Sequence, residues 1–510
     1  MSLEIYKLEP WKNEQSHRAY RDSAFAIRPA PEFATSEIVL SSMYRAVGFG
    51  DFSEKRVIEA GRNFEKATSQ SGAPPSGGVS NDTWHTVISQ VLASPKQSNQ
   101  SARRVLQMSP LVPDANLYSG SARLAGNPWN PGALVKRIIS MGSSSIEAAR
   151  SLWAELFDAL SVGDADDAWA RWLQEEFTRR KPQTVEIQWE PSDWAEGRNN
   201  LSDEDHALLS FPAQQFVSDL ASVLSAKSTM TRRQWLSLVE AVVRLGCVSH
   251  VLWLCGTNAR IWECAVQVLS GSMAVPETPE AVRDIVFSST KHHLNYGSSV
   301  LPAIRNIASG YLSARLGLNV LLWVLDPEQA EIATLSSAED IRVFLNRISQ
   351  ARERLTAENV LAQVQELKDH NEHSKTLACK KGIGVNLVEF SRYVLGRRQA
   401  AQSALRSYDQ SYVLNKRGAA NNSPWVVSLG PVALLALVHC CLRQYRGPRS
   451  VRYLSKHLEN YGIAMSVENI GSSEIGKELR MLGLILDSPD AESGILLVPA
   501  FEIFTGEGTA

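Results

Sequence analysis

The side chains best suited to bind a charged partner are basic, and they are concentrated between Ser374 and Lys456. This segment contains 14 Lys and Arg residues against two acids, Glu389 and Asp409, and so carries a net charge of +12. Several Lys and Arg side chains on one surface bind phosphate groups in a salt-dependent way that ignores base sequence. The candidate nucleic-acid-binding residues, which continue into the next predicted helix, are Lys380, Lys381, Arg397, Arg398, Lys416, Arg417, Arg443, Arg446, Arg449, Arg452, Lys456, Lys477 and Arg480.

A second group of reactive side chains consists of Cys247, His250, Cys255 and Cys264, four soft metal ligands within 18 residues. A zinc site requires such ligands to converge tetrahedrally. The spacing C-x2-H-x4-C-x8-C falls on strongly apolar sequence that predicts buried helices, and free cysteine is among the most buried residue types. We therefore predict core side chains and no metal or other cofactor, although the sequence leaves the convergence of these four residues open.

The sequence lacks the short motifs that accompany common catalytic and cofactor sites. It contains no G-x-x-x-x-G-K-[ST], no G-x-G-x-x-G after a predicted strand, no H-E-x-x-H, no G-x-S-x-G and no C-x-x-C. We therefore predict that the chain is not an enzyme and has no catalytic residues. The alternative is an enzyme whose site is assembled from scattered residues that a single sequence does not reveal.

The composition is that of an ordinary globular protein. The 510 residues are 44% hydrophobic and 21% charged, with a formal net charge of −2. A chain of this length corresponds to roughly three domains. The charge is unevenly distributed, since Glu147–Asp205 holds 15 acids against six bases. Six scattered cysteines and a charged N-terminus without an apolar stretch predict a cytoplasmic location and no membrane association.

The elements that would position these side chains are mostly helical. Apolar residues at helical spacing predict a central helical bundle or α-solenoid over residues 143–370. Thr231 and Gln234 have the spacing of a capping box, in which each side chain satisfies a backbone N–H of the other at a helix start. We expect Gly246 to end or bend the helix that starts there.

The basic segment begins with a predicted helical connector over residues 374–425. Apolar residues at helical spacing predict one helix over Leu387–Leu405, with Arg397 and Arg398 on its more solvated side. Lys416 then begins a loop. The connector would therefore extend a basic surface towards the C-terminal helices.

The C-terminal region predicts three helices followed by a hairpin. Gly430-Pro431 places proline at the first position of a helix, where its missing N–H has no cost. After Gly447-Pro448, a second helix would carry Arg449, Arg452 and Lys456 at positions i, i+3 and i+7. These three side chains would share its outer face.

A third predicted helix has Lys477 and Arg480 on an outer face and precedes two short strands joined by a Gly-bearing turn. This order of elements resembles the winged-helix superfamily over about 70 residues. In DNA-binding members of that superfamily the third helix enters the major groove. The resemblance therefore implies that this end of the chain contacts DNA.

Glu474 and Glu478 depart from that expectation, because they lie on an adjacent face of the third helix and would meet phosphates badly. Contact with the DNA backbone through Arg449, Arg452 and Lys456 is therefore favoured over base reading. Winged helices also serve as protein–protein modules, so a protein partner stays open. The predicted domains are an irregular and helical region at 1–135 with a flexible 68–82 segment, a helical core at 143–370, the basic connector at 374–425 and a winged helix at 430–504.

These observations favour a non-enzymatic, DNA-associated accessory subunit of a bacterial multi-protein complex. A helical body with a winged helix and no catalytic motif is similar in type to accessory components of anti-phage defence or restriction systems. The expected partners are double-stranded DNA, held by its backbone with low sequence specificity, and other protein subunits. The main alternative is a protein-interaction scaffold whose winged helix and basic stretch dock a partner subunit.

Overall fold

The structure is a computed structural model of the chain. Three of the candidate cations, Lys380, Lys381 and Arg446, lie outside the residues that it describes. The described residues are 2–28, 38–50, 54–68, 72–93, 108–119, 129–181, 187–194, 201–287, 293–370, 383–398, 408–420, 422–443, 445, 447–468, 470, 473–487 and 495–501.

The chain is mainly helical, which confirms that part of the predicted fold class. Over the described ranges there are 20 α-helices. The helices are α1 Leu3–Leu8, α2 Arg18–Arg21, α3 Val39–Gly48, α4 Glu54–Thr68, α5 Asn81–Thr86, α6 Pro131–Gly142, α7 Ile146–Leu160, α8 Ala168–Arg179, α9 Asp203–Leu208, α10 Pro212–Ser225, α11 Arg232–Ser270, α12 Pro279–Val282, α13 Leu301–Leu325, α14 Ala338–Gln350, α15 Arg352–Ala357, α16 Val360–Asp369, α17 Ile383–Leu395, α18 Pro431–Leu442, α19 Arg452–Asn460 and α20 Glu474–Met481.

The strands are short and form three small sheets. In the C-terminal sheet the order is β4-β7-β6, and both pairings are antiparallel. Strands β2 and β3 pair antiparallel, whereas β1 and β5 pair parallel. The strands are β1 Leu294–Asn295, β2 Leu414–Lys416, β3 Trp425–Val427, β4 Arg449–Ser450, β5 Ile463–Ala464, β6 Ile485–Asp487 and β7 Ile495–Leu497.

Helices α11 and α13 pack against each other at the centre of the protein, surrounded by α6, α10, α14, α17 and α18. Buried apolar side chains form one continuous cluster that extends from Tyr6 to Leu497. The C-terminal elements therefore share a core with the helical body.

Helix α11 is continuous over 39 residues, so the expectation that Gly246 ends it is wrong. A Cβ atom at Gly246 would lie 2.2 Å from the ring of Phe216, so glycine at this position lets α10 approach α11 closely. The predicted capping box is confirmed, since Thr231 and Gln234 each accept a bond from the other's backbone N–H. The helix ends at Gly271, whose φ of 77° is favourable for glycine.

The two central helices are long and apolar enough to cross a membrane when judged by length and composition alone. In their most apolar stretches, 94% of α11 and 72% of α13 are buried inside the protein. A helix that is apolar on all sides is also what the centre of a large soluble core requires. Their packing in the core is sufficient to account for their composition.

The irregular N-terminal segment, residues 2–28, lies along α13. The Tyr6 hydroxyl donates to the carbonyl oxygen of Arg315 (3.1 Å), across 309 positions of sequence. The backbone N–H of His17 donates to Oδ1 of Asn319 (2.8 Å), across 302 positions. The segment is thus part of the folded core.

Candidate nucleic-acid interface

Residues 430–501 are termed the C-terminal module. Its first helix, α18, begins with Pro431 at the first helical position, as predicted, and is apolar on nearly every side. It packs against α10 and α11. Burial of this helix fixes the module to the body, because moving it would return a large apolar surface to water.

Helix α19 is strongly amphipathic and presents the best exposed cations of the module. Leu454 and Leu458 are fully buried, whereas Arg452 and Lys456 are exposed. The Ser455 hydroxyl, on the inner face, donates to the carbonyl oxygen of Met465 (2.7 Å). The predicted outward positions of Arg452 and Lys456 are therefore confirmed.

Asp219 of α10 fixes the orientation of α19. The carboxylate is fully buried and accepts bonds from the Tyr461 hydroxyl and the Gln215 side-chain amide, at 2.8 and 2.7 Å. Nε2 of His457 lies 2.8 Å from the same carboxylate. Burial, and then the Asp219 charge, raise the pKa of Tyr461 well above its usual value, so its hydroxyl stays protonated and donates. This network holds the outer face of α19 towards solvent.

A parallel strand pair provides a second attachment between module and body. Leu294 and Asn295 of β1 pair with Ile463 and Ala464 of β5. The backbone N–H of Tyr296 then donates to the Ala464 carbonyl at 2.8 Å. The module is held on both sides of α19, so its exposed surface has a fixed direction relative to the helical body.

Arg449 does not lie on the helix that the sequence predicts for it. It belongs to strand β4, three residues before α19 begins, because residues 449–450 pair with β7. The prediction of three cations on one helical face is wrong in this respect. Arg449 is half-buried, and its guanidinium lies 5.1 Å from the ring centre of Tyr445.

Tyr445 and Tyr453 form an exposed aromatic pair beside Arg449. Their ring centres are 4.9 Å apart with an interplanar angle of 76°, and each residue is 37% exposed. We did not predict this pair from the sequence. The signal that could have revealed it is the alternation of tyrosine with Arg and Lys over residues 443–456, a pattern typical of nucleic-acid surfaces.

Comparison of the sequence with known proteins identifies no relative. The sequence matches no protein-family model and no curated protein. What the surface does has to be inferred from its own residues and geometry.

Three exposed cations of the module lie apart from acidic side chains. Among the described residues, no carboxylate lies within ion-pair distance of Arg452, Lys456 or Lys477. Arg449 likewise has no carboxylate partner there, since its guanidinium bonds only to the Pro448 carbonyl (3.3 Å) besides Tyr445. Exposed cations of this kind are available to an external anion.

The two acids of α20 lie in different environments. Glu474 lies 3.6 Å from the guanidinium of Arg417, although both side chains are largely exposed. Glu478 is half-buried, and burial, followed by repulsion from Glu474, raises the pKa of its carboxyl. Arg480 is exposed on the same helix. The helix therefore presents a mixed surface on which Lys477 is an exposed cation.

Arg397 and Arg398 do not lie on a helix, because α17 ends before them and they continue in extended chain. The guanidinium of Arg398 donates to Glu240, and its backbone N–H donates to Asp409 Oδ2 at 2.9 Å. The guanidinium of Arg397 stacks over Tyr412 with a distance of 5.3 Å to the ring centre. The predicted exposed helical face is wrong because both side chains serve internal contacts.

Asp409, one of the two acids of the basic segment, is the buried partner of Arg244 on α11. Its oxygens accept from both Nη atoms of Arg244, at 2.8 and 3.1 Å. Arg244 also donates to the carbonyl oxygens of Val394 and Gly396, at 2.6 and 2.8 Å. Burial alone would raise the pKa of Asp409, but the charges of Arg244 and Arg398 lower it to about 2. The pair joins the connector to the central helix.

The remaining described candidates lie at the edges of this surface. Lys416 ends strand β2 and is half-buried. Arg443 is exposed, and its Nη1 donates to the Ser222 hydroxyl at 3.3 Å. Both positions leave the charge near solvent, although Arg443 is partly held by the body.

A cavity of about 490 Å³ opens beside the Arg244–Asp409 pair. Its charged lining residues are Arg233, Glu240, Arg398 and Asp409. The two carboxylates bond to Arg398 and Arg244, so neither is left as a free general base. The geometry of this cavity therefore gives no support to a hydrolytic or proton-transfer site.

The four soft ligands Cys247, His250, Cys255 and Cys264 all lie on α11 and are buried. Burial raises the pKa of the Cys247 and Cys255 thiols, which disfavours the thiolate that a metal would need. Within the described part of the chain, no three His, Cys, Asp or Glu side chains are grouped so that they could hold a metal ion.

Proposed function

We propose that the chain is a DNA-associated accessory subunit of a bacterial multi-protein complex, and that its C-terminal module is a winged helix that grips the DNA backbone. The element order supports this proposal: α18, β4, α19 and α20 are followed by the hairpin β6–β7, and β4 pairs with β7. That is the order of helices and strands in winged-helix domains. An anti-phage defence or restriction system is the setting we favour for such a subunit.

The observation that carries the proposal is a set of solvent-accessible cations that have no acidic partner among the described residues: Arg449, Arg452, Lys456 and Lys477. Exposed cations without counter-charges attract the phosphates of DNA and release bound counterions when they bind. The attachment of α19 to Asp219 keeps the helix that carries Arg452 and Lys456 in one orientation, which lowers the entropy lost on binding.

Backbone contact through α19 is favoured over base reading through α20. The described outer face of α19 carries Arg452 and Lys456, whereas α20 carries Glu474 and Glu478 beside Lys477. A helix with two acids near its exposed surface would be repelled by the phosphates that line the major groove. We therefore expect the C-terminal module to bind DNA with low sequence specificity and with an affinity that depends strongly on salt concentration.

Charge reversal tests the proposed function. We expect Arg449→Glu/Arg452→Glu/Lys456→Glu to abolish binding of random duplex DNA at low salt. Each of the single neutralising substitutions Arg449→Ala, Arg452→Ala and Lys456→Ala should still permit binding and should reduce the slope of log affinity against log salt by roughly 0.9. Fluorescence anisotropy of labelled duplex DNA at several salt concentrations measures both quantities.

A matched control for this test is Arg18→Glu/Arg62→Glu/Arg171→Glu. These three arginines are exposed, lie outside the module and change the net charge by the same amount. We expect this variant to retain most of the wild-type affinity. Absence of DNA binding by the wild-type protein at low salt, or equal loss in both triple variants, would contradict the proposal.

A second candidate function, protein docking through the same module, is favoured by two exposed apolar side chains. Met481 at the end of α20 is 79% exposed, and Leu486 on β6 is 52% exposed. The two residues are five positions apart in the sequence, and contiguous exposed apolar surface marks a protein contact. In this reading the module holds a partner subunit.

We expect Met481→Lys/Leu486→Lys to abolish stoichiometric co-purification with a partner subunit co-expressed from an adjacent gene. Removing two anchors from the centre of an interface typically lowers affinity by a factor of about ten or more. Leu8→Lys/Leu208→Lys is the control, because these residues are also exposed but lie outside the module. If the Met481/Leu486 variant keeps the partner, the docking candidate is wrong.

A further inference from the structure

We propose that Tyr445, Tyr453 and Arg449 form a stacking site for unpaired nucleotides, so that the module binds DNA containing a single-stranded segment more tightly than blunt duplex. This inference rests on the proposed DNA-binding function and specifies the form of DNA. It gives a role to Tyr445 and Tyr453, which the backbone-grip model leaves without one.

The geometry of the two rings leaves area for a third ring. They meet nearly at right angles, at 76°, with centres 4.9 Å apart. In an edge-to-face pair the edge of one ring covers a single face of the other, so the pair leaves further ring faces uncovered. Each tyrosine accordingly keeps 37% of its surface in solvent. The two tyrosines therefore expose flat apolar ring surface to solvent. Packing in the core does not explain why tyrosine occupies these positions.

The neighbouring charges point to a nucleic acid. Arg449 lies 5.1 Å from the ring centre of Tyr445, and a guanidinium plane can itself stack on a base. Arg452 and Lys456 are exposed on the adjoining helix and have no described carboxylate partner. Aromatic rings interleaved with cations are the usual design of single-strand binding surfaces, where rings take bases and cations take phosphates.

Stacking requires that the base is accessible. In an intact duplex each base lies between its neighbours, and an exposed side chain reaches only its edge. An unpaired base at an overhang or junction presents its whole face. The cations serve either form of DNA, whereas the tyrosines can act only on the unpaired form, and this difference makes the proposal testable.

The test compares full-length wild type and variants on three labelled oligonucleotides with equal numbers of phosphates: blunt duplex, duplex with an overhang, and single strand. We expect the wild type to bind the overhang DNA more tightly than the blunt duplex. Tyr445→Ala/Tyr453→Ala should weaken binding to the overhang roughly 5- to 100-fold, the range for loss of one stacked base, while blunt-duplex affinity stays within about twofold. Tyr445→Phe/Tyr453→Phe keeps the rings and should keep the preference.

The controls separate this inference from the proposed function. Trp169→Ala removes an exposed aromatic residue outside the module and should change neither affinity. If the wild type binds none of the three oligonucleotides at low salt, both proposals are overturned. If blunt duplex is bound but the wild type shows no preference for the overhang, or the alanine variant weakens both forms equally, only the stacking site is wrong.

Discussion

We expect Asp409→Ala to lower the free energy of unfolding by about 3–5 kcal/mol, the usual cost of leaving one member of a buried ion pair without its partner. The substitution removes the acceptor of two Arg244 bonds, at 2.8 and 3.1 Å, while that guanidinium stays fully buried. The backbone N–H groups of Arg398 and Ser411 lose their acceptor as well. Denaturant unfolding followed by circular dichroism measures the change.

Two variants isolate the role of charge in this pair. Asp409→Asn keeps an acceptor oxygen, so we expect it to lower the free energy of unfolding by less than Asp409→Ala does. Arg244→Met/Asp409→Leu removes both charges, and we expect it to be more stable than Asp409→Ala because no unpaired charge is left in the core. If the free energy of unfolding of Asp409→Ala lies within about 1 kcal/mol of the wild-type value, the pair does not stabilise the fold as we expect.

The pair also makes stability depend on pH. The folded-state pKa of Asp409 lies at about 2, below the value of about 3.9 for an unfolded aspartate. Its contribution to stability is therefore complete above about pH 4 and is lost as pH falls towards about 2. Over this interval the wild type should lose stability more steeply than the Arg244→Met/Asp409→Leu variant.

We expect Asp219→Ala to lower the free energy of unfolding by about 3–5 kcal/mol and to loosen α19 in particular. The change leaves the buried Tyr461 hydroxyl and the buried His457 ring without their acceptor, and each buried polar group without a partner costs about 1–3 kcal/mol. Gln215 loses its bond to the same carboxylate. Unfolding measurements give the total, and hydrogen exchange of a peptide covering α19 shows where protection is reduced.

Asp158→Ala is the control for Asp219→Ala. Asp158 is exposed on α7, so its loss removes the same charge without breaking a buried network. We expect it to change stability by less than about 0.5 kcal/mol. If Asp219→Ala leaves exchange in α19 unchanged, the carboxylate does not fix that helix, and the proposed orientation of the cations loses its support.

Local sequence signals predict the C-terminal elements well. Apolar spacing and capping residues are determined by neighbours along the chain, so Pro431 starts α18 as expected. The same kind of signal identifies the start of α11 at Thr231. The exposed positions of Arg452 and Lys456 follow directly from the spacing of the apolar residues on the same helix.

What the sequence does not predict depends on contacts between distant positions. Arg449 leaves the predicted helix because β4 pairs with β7, which is 46 or more positions later in the chain. Arg398 and Asp409 are charged residues in a basic segment, and nothing local indicates that their partners, Glu240 and Arg244, lie about 160 positions earlier. A count of charges in the sequence assumes that every cation is exposed. In the structure, several cations instead form bonds between distant segments of the protein.

The contacts of residues 2–28 with α13 have a consequence for synthesis. These residues are synthesised before their partners, such as Asn319 for His17, which follow 302 positions later. At roughly 5–20 residues per second, the N-terminal segment waits about 15–60 s before the surface that receives it exists. During that interval its aromatic side chains, including Tyr6 and Tyr20, lack the surface of α13 that they contact in the folded protein.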